Sequence, residues 1–333
     1  MQYRQLGRSS LKSSAIGLGC MGMSHAYGAP ADRLDMERLI SFAVDCGVTM
    51  FDTAEVYGTD EDPHDNENLL GAALASFRDK VLIATKFGLS FDRSSGTAPW
   101  PLVPDSRPET IRTAVEGSLK RLRTDHIDLY YQHRPDPSVE PEAVAQVMSD
   151  LIREGKILHW GVSEATETYI RRAHAVTPMA AVQHRYSMMA RWNESLFPAL
   201  EELGIGLVAF SPLANGLLTN NYSAESTFDP KTDYRAHMPQ FQSDAFEKNR
   251  DLLDLLTDLA DSHHATPAQV SLAWMLCKKS WIVPIPGTRK YYRLKENIGA
   301  ADIHLTPSEV ADIDNALDNM EMTEVFGGSK ITK

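Results

Sequence analysis

Residues 127–162, IDLYYQHRPDPSVEPEAVAQVMSDLIREGKILHWGV, contain one complete unit of the pattern that decides the fold. A short apolar run, Ile127–Tyr131, leads into a polar loop, and a stretch with helical periodicity, Pro141–Arg153, follows it. Gly155 ends that stretch, and a second apolar run begins at Ile157. Neither run alternates strictly with polar residues, which is typical of parallel strands buried on both faces. The unit therefore predicts a strand, a helix and a second, parallel strand.

The same unit recurs along almost the whole chain. Short apolar runs occur at Ala15–Leu18, Val48–Phe51, Val81–Ala84, Ile127–Tyr131, Ile157–Val162, Ala180–Val182, Gly206–Phe210 and Trp281–Ile285. Helical periodicity separates most of them, over Asp32–Cys46, Asn66–Phe77, Pro108–Leu122, Pro141–Arg153, Ala165–Ala175, Ser195–Leu203 and Pro267–Leu276. Strands in this number that alternate with helices predict an α/β protein with a closed (β/α)8 TIM barrel, and a doubly wound open sheet is the competing architecture.

Local signals agree with these helix limits. Thr266-Pro267 supplies a cap residue and a proline at a helix start, and Ser106 with Glu109 resembles a capping box. Glycines that follow helical stretches predict helix ends, at Gly47, Gly155 and Gly204.

Additions to a minimal barrel are also predicted. Tyr3–Leu6 and Leu11–Lys12 flank Gly7, which predicts an N-terminal β-hairpin that plugs the barrel bottom. Two long loops, residues 89–106 and 219–243, follow strands and so lie on the C-terminal face, where barrel enzymes place their sites. We expect residues 1–333 to form a single domain, with the barrel over about 13–318 and a flexible C-terminal tail over 319–333.

The letters of a dinucleotide-binding fingerprint, G-x-G-x-x-G, occur at Gly17–Gly22. The motif carries weight only between a strand and a helix. Here it leads into a loop, and the predicted helix begins near Asp32. We therefore give this match little weight as a phosphate-binding turn.

Composition excludes several classes of protein. The 333 residues contain 33 Lys and Arg against 45 Asp and Glu, a formal net charge of −12. Duplex nucleic acids and anionic membranes both require a cationic surface, so we expect neither as a partner.

The N-terminus lacks an apolar signal segment, no apolar run is long enough to span a bilayer, and the 3 cysteines are widely spaced. These features predict a cytoplasmic protein without a disulfide framework. The histidines His237, His263 and His264 have no further ligand at suitable spacing, so no metal site is predicted.

Polar residues collect at the predicted strand ends. Asp52, Lys86 and His133 end three successive strands, and Tyr57 lies five residues beyond Asp52 in the following loop. In a barrel, side chains at these positions converge above the axis.

A tyrosine phenol has an ordinary pKa of about 10, and a neighbouring ammonium group favours its ionised form. Lys86 can supply that charge, Asp52 can orient Lys86, and His133 can hydrogen-bond a substrate oxygen. The set predicts a site that protonates a carbonyl oxygen while hydride adds to the carbon. Each residue also has a plainer interpretation, in which Asp52 and Lys86 form a structural ion pair and Tyr57 is a packed aromatic residue.

Several motifs, in order along the chain, resemble the aldo-keto reductases. They are FDTAEVYG (51–58), ATKFG (84–88), DLYYQHR (128–134), GVSEA (161–165), VQHRYS (182–187), FSPLANGLLT (210–219), PIPGTRK (284–290) and RLKENIGA (293–300). LGCMGMS (18–24) and the Glu of GVSEA look most like the branch that contains pyridoxal reductases and aryl-alcohol dehydrogenases. The resemblance implies reduction of aldehydes and ketones with NADPH/NADP+ as cofactor, and a small-molecule carbonyl substrate. It places the catalytic tetrad on Asp52, Tyr57, Lys86 and His133, with Tyr57 as the general acid.

The resemblance also implies a set of cofactor-binding residues. These are Gly19, Cys20, Met21, Asp52, Ser163, Gln183, Tyr186, Ser211, Pro212, Leu213, Gly216, Gly287, Thr288, Arg289, Arg293, Glu296 and Asn297. Ser163 and Gln183 match the positions that hold the carboxamide, and Tyr186 matches the aromatic on which the nicotinamide stacks. Physical chemistry supports the last group, because Pro286-Gly287-Thr288 is predicted to open a helix and two arginines there suit a phosphate. A solvated basic helix start is the plainer interpretation.

Some features leave alternatives open. Tyr27, Trp100 and Trp192 lie in loops after strands and are candidates for the wall of a substrate pocket. Glu164 and His184-Arg185 depart from the common family pattern. The competing functions are an NADP-binding redox-sensing regulatory subunit with little turnover, and a barrel hydrolase or lyase without nicotinamide. The oligomeric state and the physiological substrate stay open at this stage.

Overall fold

The computed structural model of the protein describes residues 2–59, 61–92, 94 and 101–325. Its strands are β1 (Tyr3–Gln5), β2 (Lys12–Ser14), β3 (Leu18–Gly19), β4 (Met50–Asp52), β5 (Leu82–Phe87), β6 (Leu89–Phe91), β7 (Leu102–Pro104), β8 (Ile127–Gln132), β9 (Ile157–Ser163), β10 (Ala181–Arg185), β11 (Gly206–Phe210) and β12 (Ile282–Pro284). The sheet order β3-β4-β5-β8-β9-β10-β11-β12 uses all eight predicted runs, and its strands are parallel. The predicted (β/α)8 barrel is confirmed.

Glycines close the barrel between its first and last strands. The N–H of Gly17 donates to Pro284 O at 3.0 Å, and Gly19 forms a parallel bridge with Gly287. A Cβ atom on Gly19 would lie 2.7 Å from the carbonyl oxygen of Ile285, and one on Gly287 would lie 2.8 Å from Gly19 O. Real Cβ atoms do not approach so closely, so these two glycines permit the closure. The helix after β3 begins only at Arg33, so the G-x-G letters serve barrel closure and do not form a strand-turn-helix motif.

Helices alternate with the barrel strands and cover them. They are α1 (Arg33–Asp45), α2 (Asp65–Leu74), α3 (Pro108–Leu122), α4 (Pro141–Arg153), α5 (Glu167–Val176), α6 (Phe197–Leu203), α7 (Ala245–Lys248), α8 (Arg250–Ser262), α9 (Pro267–Lys278), α10 (Tyr291–Gly299) and α11 (Pro307–Asn319). The predicted capping box of α9 is confirmed, because Thr266 and Gln269 exchange hydrogen bonds between side chain and backbone. The predicted stop glycines have left-handed φ angles of 86° at Gly47, 72° at Gly155 and 71° at Gly204.

Two predicted helix starts are wrong. Ser106 does not cap α3, because its hydroxyl accepts a hydrogen bond from Gln132 and its N–H donates to Asp136. Residues 286–288 do not open a helix, because Gly287 is engaged in barrel closure and α10 begins only at Tyr291.

The N-terminal hairpin closes the bottom of the barrel, as predicted. Leu6 and Leu11 are buried in one apolar cluster with Met50, Leu129 and other residues that point into the barrel. Gly7 has a φ of 59°, and its chain neighbour Arg8 donates its N–H to Gly204 O at 2.7 Å. The hairpin therefore holds the end of the barrel opposite to the strand ends that carry the candidate site.

The long loops gather at the other end. Strands β6 and β7 pair as a short hairpin within residues 89–106. The loop over 219–243 reaches across to the loop after β3, because Tyr27 bridges to Asp233 and Gly28 N donates to Thr232 O. Past α11, Thr323 is hydrogen-bonded to Asn249 and Val325 is buried, so the first part of the predicted tail lies against the barrel.

Candidate active site

Three neighbouring strands bring the predicted polar residues together. Asp52 ends β4, Lys86 lies near the end of β5, and His133 directly follows β8. The hydrogen bonds between strands continue past their ends, since Glu55 N donates to Lys86 O and His133 N donates to Phe87 O. The side chains of Asp52, Lys86 and His133 are all buried. The fold therefore places Asp52, Lys86 and His133 at one end of the barrel on adjacent strands.

A buried asparagine holds the loop that carries Tyr57. Asn66 accepts a hydrogen bond from the Thr53 hydroxyl and donates to Cys20 O and to Ser24 Oγ. Its own N–H donates to Tyr57 O at 3.2 Å. These bonds join the loop after β3 to the loop after β4. They explain how a residue outside the strands keeps a fixed position over the barrel.

Asp52 and Lys86 form a buried ion pair. Lys86 Nζ donates to Asp52 Oδ1 at 2.5 Å and to Thr53 O at 2.8 Å. The second oxygen of Asp52 accepts a hydrogen bond from Gln183 Nε2 at 2.7 Å. Burial acts to lower the pKa of Lys86, but the Asp52 carboxylate outweighs it and the pKa lies above its ordinary value. The ammonium group is therefore kept charged and oriented.

Tyr57 lies between Lys86 and His133. The Lys86 ammonium is 4.9 Å from the centre of the Tyr57 ring, and Tyr57 Oη is 3.4 Å from His133 Nε2. Burial lowers the pKa of His133 well below its ordinary value, and the charges of Lys86 and Arg134 act in the same direction. His133 is therefore a neutral imidazole near neutral pH. Hydroxyl, ammonium and imidazole groups converge on one point, where a polarised oxygen atom could be held and protonated.

Glu55 fastens the Tyr57 loop to the end of β5, and its titration gives a stability prediction. Its carboxylate accepts the N–H of Gly88 at 2.9 Å. Burial raises the pKa of Glu55 to about 7 from 4.5, and the Glu67 carboxylate acts in the same direction. Between these pH values the folded protein holds a proton that the unfolded chain releases, so the free energy of unfolding falls as the pH rises. In Glu55→Gln this dependence should flatten.

Urea unfolding at pH values from 4.5 to 7.5, followed by tryptophan fluorescence, measures this effect. Glutamine can still accept from Gly88, so the hydrogen bond is kept while the titration is removed. Glu321→Gln, at an exposed position, is the matched control and should retain the slope of the wild type. Equal slopes in wild type and Glu55→Gln would show that Glu55 titrates normally.

The predicted carboxamide positions face this cluster, but Tyr186 does not. Ser163 ends β9, and Gln183 lies within β10 with its side chain on Asp52. Tyr186 is fully buried, stacks on Trp274 and donates its hydroxyl hydrogen to Glu194. It presents no surface on which a nicotinamide could stack, so that predicted role does not fit the structure.

Phe210 is the aromatic residue that the sequence reasoning missed. It ends β11 directly before Ser211, and it is half-buried. The guanidinium of Arg185 lies 5.0 Å from the centre of its ring. Its position at the end of a predicted strand, directly before Ser211-Pro212-Leu213, is the sequence signal that could have identified it.

The loop after β11 contains several left-handed residues. Ser211, Asn215 and Gly216 have φ angles of 49°, 60° and 108°. The N–H groups of Ala214 and Gly216 donate to Ser211 O at 3.0 Å and to Leu213 O at 2.9 Å, so the loop is a tight turn held by its own backbone. Pro212 is buried, and Leu213 is half-buried against the core. A Cβ atom on Gly216 would lie 3.0 Å from the Tyr222 ring, which also explains a glycine there.

The predicted adenosine-binding residues lie around the start of α10. Arg289 donates to Gly22 O and Ala29 O, and its remaining nitrogen, Nη2, is buried without a hydrogen bond among the described residues. Arg293 donates to Glu296 at 2.6 Å and remains partly exposed. Asn297 is buried, whereas Thr288 is half-exposed and Gly287 closes the barrel. Two arginines are therefore available at this end, one of them with an unused donor.

The segment after β3 contributes mainly through its backbone. The Cys20 side chain is fully buried in the apolar core, burial raises the pKa of its thiol, and its N–H donates to Asp52 O. The thiol does not face the site, so only its main chain could approach a cofactor. Met21 is half-buried and begins a single helical turn.

The candidate pocket residues have different surroundings. Tyr27 accepts a hydrogen bond from Asn215 at 2.6 Å and lies under the guanidinium of Arg235 at 5.3 Å. Trp192 is half-buried and packs against the core. Trp100 lies outside the described residues. Tyr27 therefore lies among the loops over the site. A role in the substrate pocket for Trp100 and Trp192 stays a prediction.

Within the described part of the chain, no group of three or more His, Cys, Asp or Glu side chains is arranged to hold a metal ion. In the same residues, no helix has the length and apolar character needed to cross a membrane.

Comparisons with known proteins agree with this architecture. The sequence profile of the aldo/keto reductase family matches residues 15–318. A probable aldo-keto reductase of Glycine max is 40% identical over 330 residues, which cover 98% of this chain and 91% of that protein. The structure of a glycerol dehydrogenase from Gluconobacter oxydans is 29% identical, with a TM-score of 0.85 and coverage of 96% of this chain and 95% of that one. The holo form of an aldo-keto reductase from Bacillus halodurans is 26% identical, with a TM-score of 0.76 and coverage of 95% and 96%. The chain belongs to the aldo/keto reductase family, and it is an oxidoreductase of carbonyl compounds.

Proposed function

We propose that the protein is an NADPH-dependent reductase of aldehydes and ketones in which Tyr57 is the general acid. The single observation that carries the proposal is the convergence of Tyr57 Oη with His133 Nε2 at 3.4 Å and with the charged Lys86 beneath the ring. These groups surround one position for a carbonyl oxygen. The protein works as one barrel domain, and its 3 cysteines, all free, suit the cytoplasm.

The residues present fit a nicotinamide cofactor. Phe210 offers a partly exposed ring at a strand end, and Ser163 and Gln183 supply polar groups beside it. The loop of left-handed residues around Gly216 is our candidate for contact with the pyrophosphate, and the unused Nη2 donor of Arg289 is our candidate for a further phosphate. When bound, NADPH supplies the hydride that adds to the carbonyl carbon. We propose Phe210, in place of Tyr186, as the stacking residue.

The chain's own residues perform the proton chemistry. His133 is neutral, so its Nε2–H can donate a hydrogen bond to the carbonyl oxygen and polarise it without giving up a proton. Tyr57 donates the proton to the same oxygen as negative charge develops there. Lys86 stabilises the phenolate that remains, and Asp52 keeps Lys86 charged and in place.

The proposal is tested by titrating the purified protein with NADPH and, separately, with NADH. The 5 tryptophans report binding, and loss of cofactor absorbance after addition of aromatic and aliphatic aldehydes reports turnover. Saturable NADPH binding with turnover is expected. Binding without turnover on any carbonyl compound would favour a redox-sensing role, and no binding would overturn the cofactor assignment.

Arg293→Gln should weaken NADPH binding by about tenfold and leave NADH binding nearly unchanged. The reason is that an arginine hydrogen bond to a phosphate is stronger than a neutral one, and NADH lacks the 2′-phosphate. Arg293 is partly exposed, and among the residues that the structure describes it forms an ion pair with Glu296 on the same helix.

Fluorescence titration with both cofactors measures the ratio of dissociation constants. Arg38→Gln is a matched control, because Arg38 lies on the exposed face of α1. If Arg293→Gln weakens the binding of both cofactors equally, the arginine supports the fold of α10 and does not read the phosphate.

A further inference from the structure

Two guanidinium groups stand beside the candidate active site, and the Glu164 carboxylate attracts both of them from beyond ion-pair distance. Arg134 follows His133, is half-buried, and donates to His133 O at 2.7 Å and to Ser163 Oγ at 3.1 Å. Arg185 ends β10 and is 6% exposed. Among residues 2–59, 61–92, 94 and 101–325, neither arginine has a carboxylate oxygen within ion-pair distance. Buried cations are ordinarily paired, so this arrangement requires an explanation.

The neighbouring carboxylates are engaged elsewhere. Glu164 accepts the backbone N–H of Arg185 at 2.9 Å and lies 3.5 Å from His184 Nδ1. Asp52 is held by Lys86 and Gln183. Arg134 donates to His133 O at 2.7 Å and acts to lower the pKa of His133, so its charge lies near the proposed oxygen-binding position. The cluster of Arg134, Arg185 and Glu164 thus carries one positive charge in excess.

Arg185 has an unused donor. Its Nε is buried and makes no hydrogen bond to any described residue, and its Nη1 donates to Asn215 Oδ1 at 3.4 Å. Burial lowers the pKa of Arg185, the Glu164 carboxylate opposes this shift, and the charge of Arg134 acts in the same direction as burial. An anion bound at Arg134 would relieve the repulsion between the two cations.

From this juxtaposition we infer that the protein selects carbonyl substrates that carry a carboxylate, and that Arg134 binds this carboxylate. The inference rests on the proposed reductase function and adds the substrate class. Arg134 is the better placed of the two, because it is adjacent to His133 in the chain and partly accessible. Arg185 lies deeper and is a positioning residue, whose charge favours the anion without contact. The negative charge opposite Arg134 is then supplied by the carboxylate of the substrate and not by a residue of the protein.

The test compares two substrates that share the aromatic ring and the aldehyde and differ in the charge of the substituent opposite the aldehyde. 4-Formylbenzoate is an anion at neutral pH, and its methyl ester has the same ring and the same aldehyde. The quantity measured is the ratio of kcat/KM for the acid to kcat/KM for the ester. We expect a preference for the acid in the wild type and a fall in this ratio of about tenfold or more in Arg134→Met, which is the range of a charge-assisted hydrogen bond. Arg134→Lys keeps the charge and should retain part of the preference.

Other outcomes would overturn the inference. They are a wild type without preference for the acid, an Arg134→Met ratio equal to that of the wild type, or an Arg134→Met variant in which NADPH binding is weakened while the ratio stays constant. The last result would assign the cations to the phosphates of the cofactor.

A binding measurement keeps this inference separate from the proposed function. Calorimetric titration with 4-(hydroxymethyl)benzoate and with its methyl ester requires no turnover. If neither aldehyde is reduced, the proposed function fails, yet tighter binding of the acid in wild type than in Arg134→Met still supports an anion site. Equal binding of acid and ester contradicts it.

Discussion

Tyr57→Phe is expected to lower kcat by about 10²–10⁴-fold, the usual contribution of a positioned general acid. The change removes one oxygen atom and keeps the ring over Lys86, where the ammonium lies 4.9 Å from the ring centre. His133 then has no hydroxyl partner at Nε2. Because its pKa is low, its neutral ring is a poor source of a proton. Proton delivery to the substrate oxygen should therefore limit the reaction.

The measurement is single-turnover loss of NADPH absorbance with a saturating aldehyde, together with a fluorescence titration of NADPH. We expect the affinity for NADPH to change little, since the residues proposed to hold the cofactor lie on β9 and β10, on β11 and the loop after it, and around the start of α10, and not on the Tyr57 loop. Tyr130→Phe is a matched control, because it removes a hydroxyl that is buried and unbonded in the described part of the barrel. A Tyr57→Phe variant within tenfold of wild-type kcat would mean that another group donates the proton.

Periodicity along the chain was sufficient to predict the barrel strands and the residues at their ends. Each strand is buried on both faces, so its apolar run is continuous and stands out from the helical stretches. Asp52, Lys86 and His133 were then placed by a rule of the fold, since strand ends in a parallel barrel converge. The structure brings these three together with Tyr57.

The alternation of side chains along β10 shows where the sequence reasoning was incomplete. Gln183 and Arg185 point to the same side, and Gln183 contacts Asp52 in the site. Tyr186 follows the strand and shares the opposite side with His184, and both residues are fully buried. The two-residue period of a strand therefore puts Tyr186 on the side away from the site, and it puts Arg185 on the same side as Gln183. Carrying a family role to Tyr186 by resemblance alone ignored this parity.

Tertiary contacts explain the other errors. The polar groups of Ser106 are used by Asp136 and Gln132, which lie far along the chain, so a local capping pattern did not form. The segment before α10 is likewise taken up by barrel closure at Gly287. Neither contact is visible in a short window of sequence, because each partner belongs to a different strand or loop.

Lys86→Met is expected to destabilise the protein by about 3–5 kcal/mol, because breaking a buried ion pair leaves an uncompensated charge. Lys86 is 1% exposed and Asp52 is 3% exposed, so water cannot replace the lost partner. Asp52 would keep only the hydrogen bond from Gln183. Activity should be lost as well, since the phenolate of Tyr57 would no longer be stabilised.

The double variant Asp52→Asn/Lys86→Met separates the structural role of this pair from its role in the reaction. Asparagine removes the stranded charge and can still accept from Gln183, so we expect most of the lost free energy of unfolding to return, the non-additivity that residues in direct contact show. Activity should stay absent, because the ammonium group beside Tyr57 is still missing. Urea unfolding and aldehyde reduction by the same preparations measure the two effects. If activity returned together with stability, the ion pair would serve the fold alone, and the catalytic interpretation of Lys86 would be wrong.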